Sequence, residues 1–250
     1  MTDTITVDHN IDMGHIMSFN YLLLGHLLGD FILQTSRIAR NKTVNSKWNL
    51  LHAVIVTISM LFFAVPFGLK TISLVIMSGT AHYFIDSWKS KVLNKSPLHA
   101  IIYFIGDQII HISIIYLISI LGEKEQSIPF INEKLIKILV VLVFSVSFMS
   151  IFIQYLLKVF FPTCNQSFFI KHEKIAGDTA RLVIFLICAI SFWLSPLVLM
   201  FFIPLLAVMV FLSYRKKWCR WMTWKYFAAR LILDLLTPSL GFYFLIYVYL

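Results

Sequence analysis

Three pairs of ionisable residues stand four positions apart in the first half of the chain: His26 and Asp30, His82 and Asp86, Asp107 and His111. That spacing puts both side chains on one face of a helix. With eight histidines and eight aspartates in 250 positions, about half a pair is expected by chance in both directions together. Imidazole and carboxylate side by side offer nitrogen and oxygen lone pairs, the donor set that a borderline divalent cation such as Zn, Mn or Fe selects. His52 stands alone but can reach the same zone. The candidate metal ligands are therefore His26, His52, His82, Asp86, Asp107 and His111, with Asp30 as candidate catalytic base or ligand-orienting group. Without a metal, each pair reads as a buried hydrogen-bonded pair fixing helix packing, or as a step in a proton or ion relay.

The elements that must position these residues are membrane helices. The chain is 59% hydrophobic and 13% charged, against about 25% charged in a soluble domain, so it cannot cover a water-facing surface. A helix needs about 20 apolar residues to cross the hydrocarbon core. That ruler predicts an all-α, polytopic transmembrane bundle of about eight spans, near 17–35, 48–68, 71–88, 99–121, 135–157, 179–194, 196–213 and 226–250. Residues 1–16 form a short tail, 17–121 a four-helix core bearing the His and Asp residues, and 122–250 the helices packed against it, all one membrane domain. Counted over alternate connections, sixteen Lys and Arg fall on one side and four on the other, with Arg230 inside the last span. The positive-inside rule then places both termini outside the cytoplasm.

Direction adds order to the pairs. Spans one and three run inward as His-x-x-x-Asp and span four runs outward as Asp-x-x-x-His, so every Asp lies about 6 Å nearer the cytoplasm than its His. If the spans bundle, a layer of Asp lies beneath a layer of His. Gly25-x-x-x-Gly29 is a small-xxx-small pattern beside the first pair, and Gly79 and Gly106 stand near the others, where backbones could approach closely. On the last span, Arg230 and Asp234 are four apart and form an internal salt bridge or support the site from behind.

The net charge of +9 does not imply nucleic-acid binding. The basic and aromatic run at 213–226 lies between apolar spans and suits the headgroup region, so the expected partners are membrane lipids and no nucleic acid. The connection at 158–174 links helices or lies over the site. Cys164, Cys188 and Cys219 form no CxxC pair, which leaves neither a disulfide framework nor a thiolate zinc site.

The blocks GHLLGDFILQT at 25–35, LLHA at 50–53, HYFIDSWK at 82–89 and DQIIH at 107–111 resemble a family of bacterial and phage membrane proteins known only as a domain of unknown function. The resemblance implies a bacterial inner-membrane location and adds Gln34, Lys89 and Gln108 to the characteristic polar positions. Gly177 to Arg181 departs from the family's pattern, with Ala180 at the place of an acid. The His-x-x-x-Asp layout is also loosely similar to the group named membrane-bound metal-dependent hydrolases. A metal-dependent hydrolase of a lipid or phosphate-bearing substrate is accordingly the leading expectation, although HExxH and GxSxG are absent. A proton- or ion-coupled transporter would use the same residues as a relay, and a non-catalytic interaction protein would tolerate Ala at every pair.

Overall fold

A computed structural model describes residues 9–92, 96–122, 131–162, 171–194 and 223–249. Their regular structure is all helical. The expected span at 196–213, most of the 213–226 run and residues 163–170 of the 158–174 connection lie outside the described residues, as do Cys164 and Cys219.

Helix α1 (His9–Leu27) continues into a π turn, Leu28–Ile32, closed by the Leu33 amide on the Leu28 carbonyl at 2.8 Å. Thr35 caps the short helix α2 (Ser36–Asn41) by accepting from the Ile38 amide, and Asn45 caps α3 (Ser46–Ala64) by accepting from Lys47. A 3-10 turn, Val65–Phe67, then leads to α4 (Gly68–Val92). Gly68 makes this reversal with φ 79°, a conformation that only glycine adopts readily. Asn49 donates to the Tyr83 carbonyl at 3.0 Å, so α3 and α4 lie side by side as an antiparallel hairpin. Then come α5 (Pro97–Leu121), α6 (Glu133–Val143), a π turn Phe144–Phe148, α7 (Met149–Phe160), α8 (Lys171–Leu194) and α9 (Trp224–Phe244), which ends in a third π turn, Leu245–Tyr249.

Four helical stretches among the described residues are long and apolar enough to cross a membrane: Ser46–Trp88, Pro97–Leu121, Glu133–Phe160 and Trp224–Tyr247. They fit an integral membrane protein. The first is the bent α3–α4 hairpin. The expected segments at 17–35 and 179–194 lie largely within α1 with its π turn and within α8.

The described helices form two compact units, one of α1 to α4 with α5 from Ile105 onward, the other of α6 to α9 from Lys137 onward with the start of α5. In the first, α1 crosses α3 at very close range. A Cβ on Gly25 would lie 2.9 Å from the Met60 Cα, and one on Gly29 would lie 2.7 Å from the Val56 Cα. Ser59 also donates to the Gly25 carbonyl at 2.7 Å. Gly79 packs against the Thr57 side chain in the same way, whereas Gly106 faces open space and serves no close approach. Leu22, Met60, Ala64, Val75, Ile115 and Ile118 form the apolar core.

From Leu50 onward, helix α3 is apolar on its exposed face and mixed on its buried one. Its buried face carries Asn49, His52 and Ser59 among Ala53, Val56, Met60, Phe63 and Ala64, while Leu50, Val54, Ile58 and Phe62, at intervals of four, are exposed. In water that arrangement would leave an apolar stripe uncovered.

Candidate metal centre

Asp30 sits in the π turn that closes α1. An i to i+5 turn inserts one residue into the helical register, re-aiming the side chains that follow. Asp30 is buried there, and Gln34, its amide oriented to suit both neighbours, donates to the Asp30 carbonyl at 2.8 Å and accepts from Lys42 Nζ at 3.0 Å. The capped helix α2 folds the chain back so that Lys42, at its C-terminal end, enters the same group. Its Nζ lies 2.9 Å from Asp86 Oδ2 and 4.0 Å from Asp30 Oδ1.

From these carboxylates a continuous chain of polar contacts runs inward. His52 Nε2 lies 3.0 Å from Asp30 Oδ1 and 3.4 Å from Asp86 Oδ2. His82 presents Nε2 to His52 Nε2 at 3.2 Å, and its Nδ1 lies 3.0 Å from His111 Nε2. His111 Nε2 in turn stands 3.3 Å from Asp107 Oδ1. Gln108 closes the ring by donating one amide to both Asp30 Oδ2, at 3.1 Å, and Asp107 Oδ2, at 3.2 Å. The aspartates thus meet at the level of Lys42 and Gln108, with the imidazoles stacked beyond them.

All of these His, Asp and Gln108 side chains are buried. Two overlapping groups have ligand atoms within 4.8 Å of one another, Asp30 with His52 and His82, and His82 with Asp86 and His111. His82 belongs to both. Asp107 touches this set through His111 and Gln108, and His26 stands behind it, with its ring centroid 5.7 Å from that of His82 and 5.2 Å from that of His111. His26 Nε2, His52 Nδ1 and Gln108 Oε1 are buried without a hydrogen-bond partner among the described residues. Buried polar atoms are seldom left so.

Lys42 could not be found from spacing. Its charge counts toward the basic connection between the first two expected spans, and only the cap at Thr35 and the short helix behind it bring it to the carboxylates. Gln34 and Gln108, implied by the family resemblance, are in the cluster. The described structure does not include the side chain of Lys89.

In the second unit, Arg230 pairs with Asp234 on α9, Nε to Oδ2 at 2.9 Å. A second arginine joins them: Arg181 of α8, with no exposed surface, pairs with Asp234 and with Asp178 at 2.6 Å. Arg181 also donates from Nε to the Val146 carbonyl at 3.1 Å, inside the Phe144–Phe148 π turn where the helical bonding shifts. Gly177 leaves room for the Arg230 guanidinium, which a Cβ at this position would displace. The positive-inside count treats Arg181 as a loop charge. The structure makes it part of a buried ion cluster.

Residues 18–139 match a family described as protein of unknown function (DUF3307). The matched segment contains every His and Asp of the first unit's cluster and neither arginine of the second. No curated protein and no solved structure matches the chain.

Proposed function

We propose that the chain crosses a bacterial inner membrane about eight times with both termini outside the cytoplasm, and that its first unit is a metal-dependent hydrolase. The substrate would be a lipid or another phosphate-bearing molecule reached from the cytoplasmic half of the bilayer. The observation that carries this reading is the pair of overlapping ligand groups sharing His82, four helices deep in buried side chains.

The residues suit a divalent cation. Nitrogen and oxygen donors alternate through the cluster, and Lys42 already places one positive charge between the Asp30 and Asp86 carboxylates, where a dication would also sit. Buried carboxylates are costly without a paired cation. His52, His82, Asp86 and His111 would hold the ion, and Asp107 would orient His111 from behind. A bound dication would supply Lewis acidity toward a substrate oxygen and toward water. Asp30, kept in place by His52 and Gln108, is positioned to accept the proton of an attacking water. An open apolar groove lined by Leu28, Leu33, Ile55, Ile58, Phe62 and Phe63, part of it the exposed stripe of α3, lies beside the π turn that carries Asp30.

Elemental mass spectrometry on detergent-purified protein, supplied with Zn and Mn, tests the metal. Near-stoichiometric ion in the wild type and in Arg230→Met, lost in His82→Ala/Asp86→Ala, is the expected result. Wild-type protein without metal would sink the hydrolase and point to proton-flux assays. With metal in place, phosphate release from a panel of lipid phosphates should stop in Asp30→Asn.

A further inference from the structure

Resting on the reading of this cluster as a metal centre, we propose that the centre is binuclear. A second cation site lies among His26, His82 and His111, and His82 bridges the two ions through its two ring nitrogens.

The His26 side chain is 2% exposed, and its Nε2 has no hydrogen-bond partner among the described residues. His26, His82 and His111 together bound a cavity of about 10 Å³, otherwise walled mainly by Val56, Met60 and Ile115. That is about the room one water or one ion requires. The two hydroxyls on its wall, Thr57 and Ser78, donate to carbonyls of their own helices at 2.7 Å. The imidazoles are therefore the strongest donors on offer.

Ring geometry agrees. With metal–nitrogen bonds of about 2.0–2.1 Å, an ion lies about 3.1 Å from each ring centroid, so three imidazoles on one tetrahedral ion have centroids about 5 Å apart. The observed separations are 5.7 Å for His26 and His82, 5.2 Å for His26 and His111, and 4.2 Å for His82 and His111. Small ring rotations reach the tetrahedral arrangement. With two ions bound, His111 passes from the first to the second, and the two ring nitrogens of His82 divide the ions between them: Nδ1 looks to His111, and Nε2 looks to His52 beside Asp30 and Asp86, which leaves His52, His82 and the carboxylates to the first ion. A neutral imidazole has one free lone pair, so occupying both sites releases the single ring proton of His82 to solvent and sets the ions about 6 Å apart. The three-imidazole site favours Zn or Co, and the carboxylate-rich site also accepts harder ions such as Mn.

Titration of the metal-free full-length protein in detergent with cobalt chloride tests this, because tetrahedral nitrogen-ligated Co(II) absorbs strongly in the visible and oxygen-rich six-coordinate Co(II) weakly. Wild type should take up about two equivalents, one of them strongly coloured. His26→Gln should lose the coloured equivalent and keep the other, while Asp86→Asn should do the reverse. His26→Asp, which restores a ligand, should keep both equivalents with a shifted band, an effect that a packing role for His26 would not produce. One equivalent in wild type, unaffected by His26→Gln or His26→Asp, would overturn the second site and leave the single-ion centre standing. No cobalt in wild type would overturn both.

Discussion

Lys42 Nζ lies 2.9 Å from Asp86 Oδ2, inside the carboxylate group where a cation would bind. The lysine is a tethered cation that would compete with a bound metal ion for Asp86 and, at 4.0 Å, for Asp30. Its side chain is 16% exposed, so it has a route out toward water when an ion arrives. Lys42→Met should raise the apparent metal affinity by about tenfold, corresponding to about 1.4 kcal/mol of competing attraction removed. The metal-free variant should also melt at a lower temperature, since its carboxylates lose their counter-charge. Chelator competition and thermal unfolding with and without metal measure both. A variant that binds metal more weakly would show that Lys42 supports the ion instead of opposing it.

The crossing of α1 over α3 sets the position of His26 and Asp30. Gly29→Leu places a side chain where the Val56 backbone already stands, 2.7 Å from the new Cβ. The helices must separate, at a cost of about 1–3 kcal/mol, and Asp30 moves away from His52. Both the melting temperature and the metal content should fall. Gly106→Ala, by contrast, enters open space in the interior of α5 and should not lower stability, since Ala favours a helix interior over Gly by about 0.5–1 kcal/mol. If the two substitutions behave alike, the close helix crossing is not what holds the cluster together.

How much of this was legible in the sequence depends on the range of each relationship. Pairs four apart on one helix are local, so His82 with Asp86 and Asp107 with His111 stand out from spacing alone. His52 offers no such partner, and it is the α3–α4 hairpin, turned by Gly68, that brings it between Asp30 and Asp86. Lys42 and Arg181 were hidden for another reason. Counting basic residues by side treats them as loop charges, but local backbone events, a capped one-and-a-half-turn helix for Lys42 and a glycine-backed start of α8 for Arg181, turn them inward. The π turn at Asp30 has no periodic signature either, because one added residue leaves the apolar pattern of α1 intact.

Asp234 is shared by two buried arginines, Arg181 and Arg230. Removing the acid leaves two guanidinium groups short of a carboxylate, whereas removing Arg230 leaves Asp234 still paired with Arg181. Asp234→Asn should therefore destabilise the protein by about 3–5 kcal/mol, and Arg230→Met by clearly less. Thermal unfolding in detergent ranks the two. Equal losses would mean that Arg181 gains little from Asp234 and relies on Asp178 and the Val146 carbonyl.

The proposed orientation can be tested at Val44, which is 87% exposed in the turn between α2 and α3. If the sixteen Lys and Arg of one side face the cytoplasm, this turn does too, because Arg37, Arg40, Lys42 and Lys47 surround it in sequence. Val44→Cys, in a chain whose three cysteines are replaced by Ser, should resist a membrane-impermeant thiol reagent added to intact cells. It should react fully once the inner membrane is opened. Labelling in intact cells would turn the bundle over, placing the carboxylate layer at the outer face and requiring a substrate that arrives from outside.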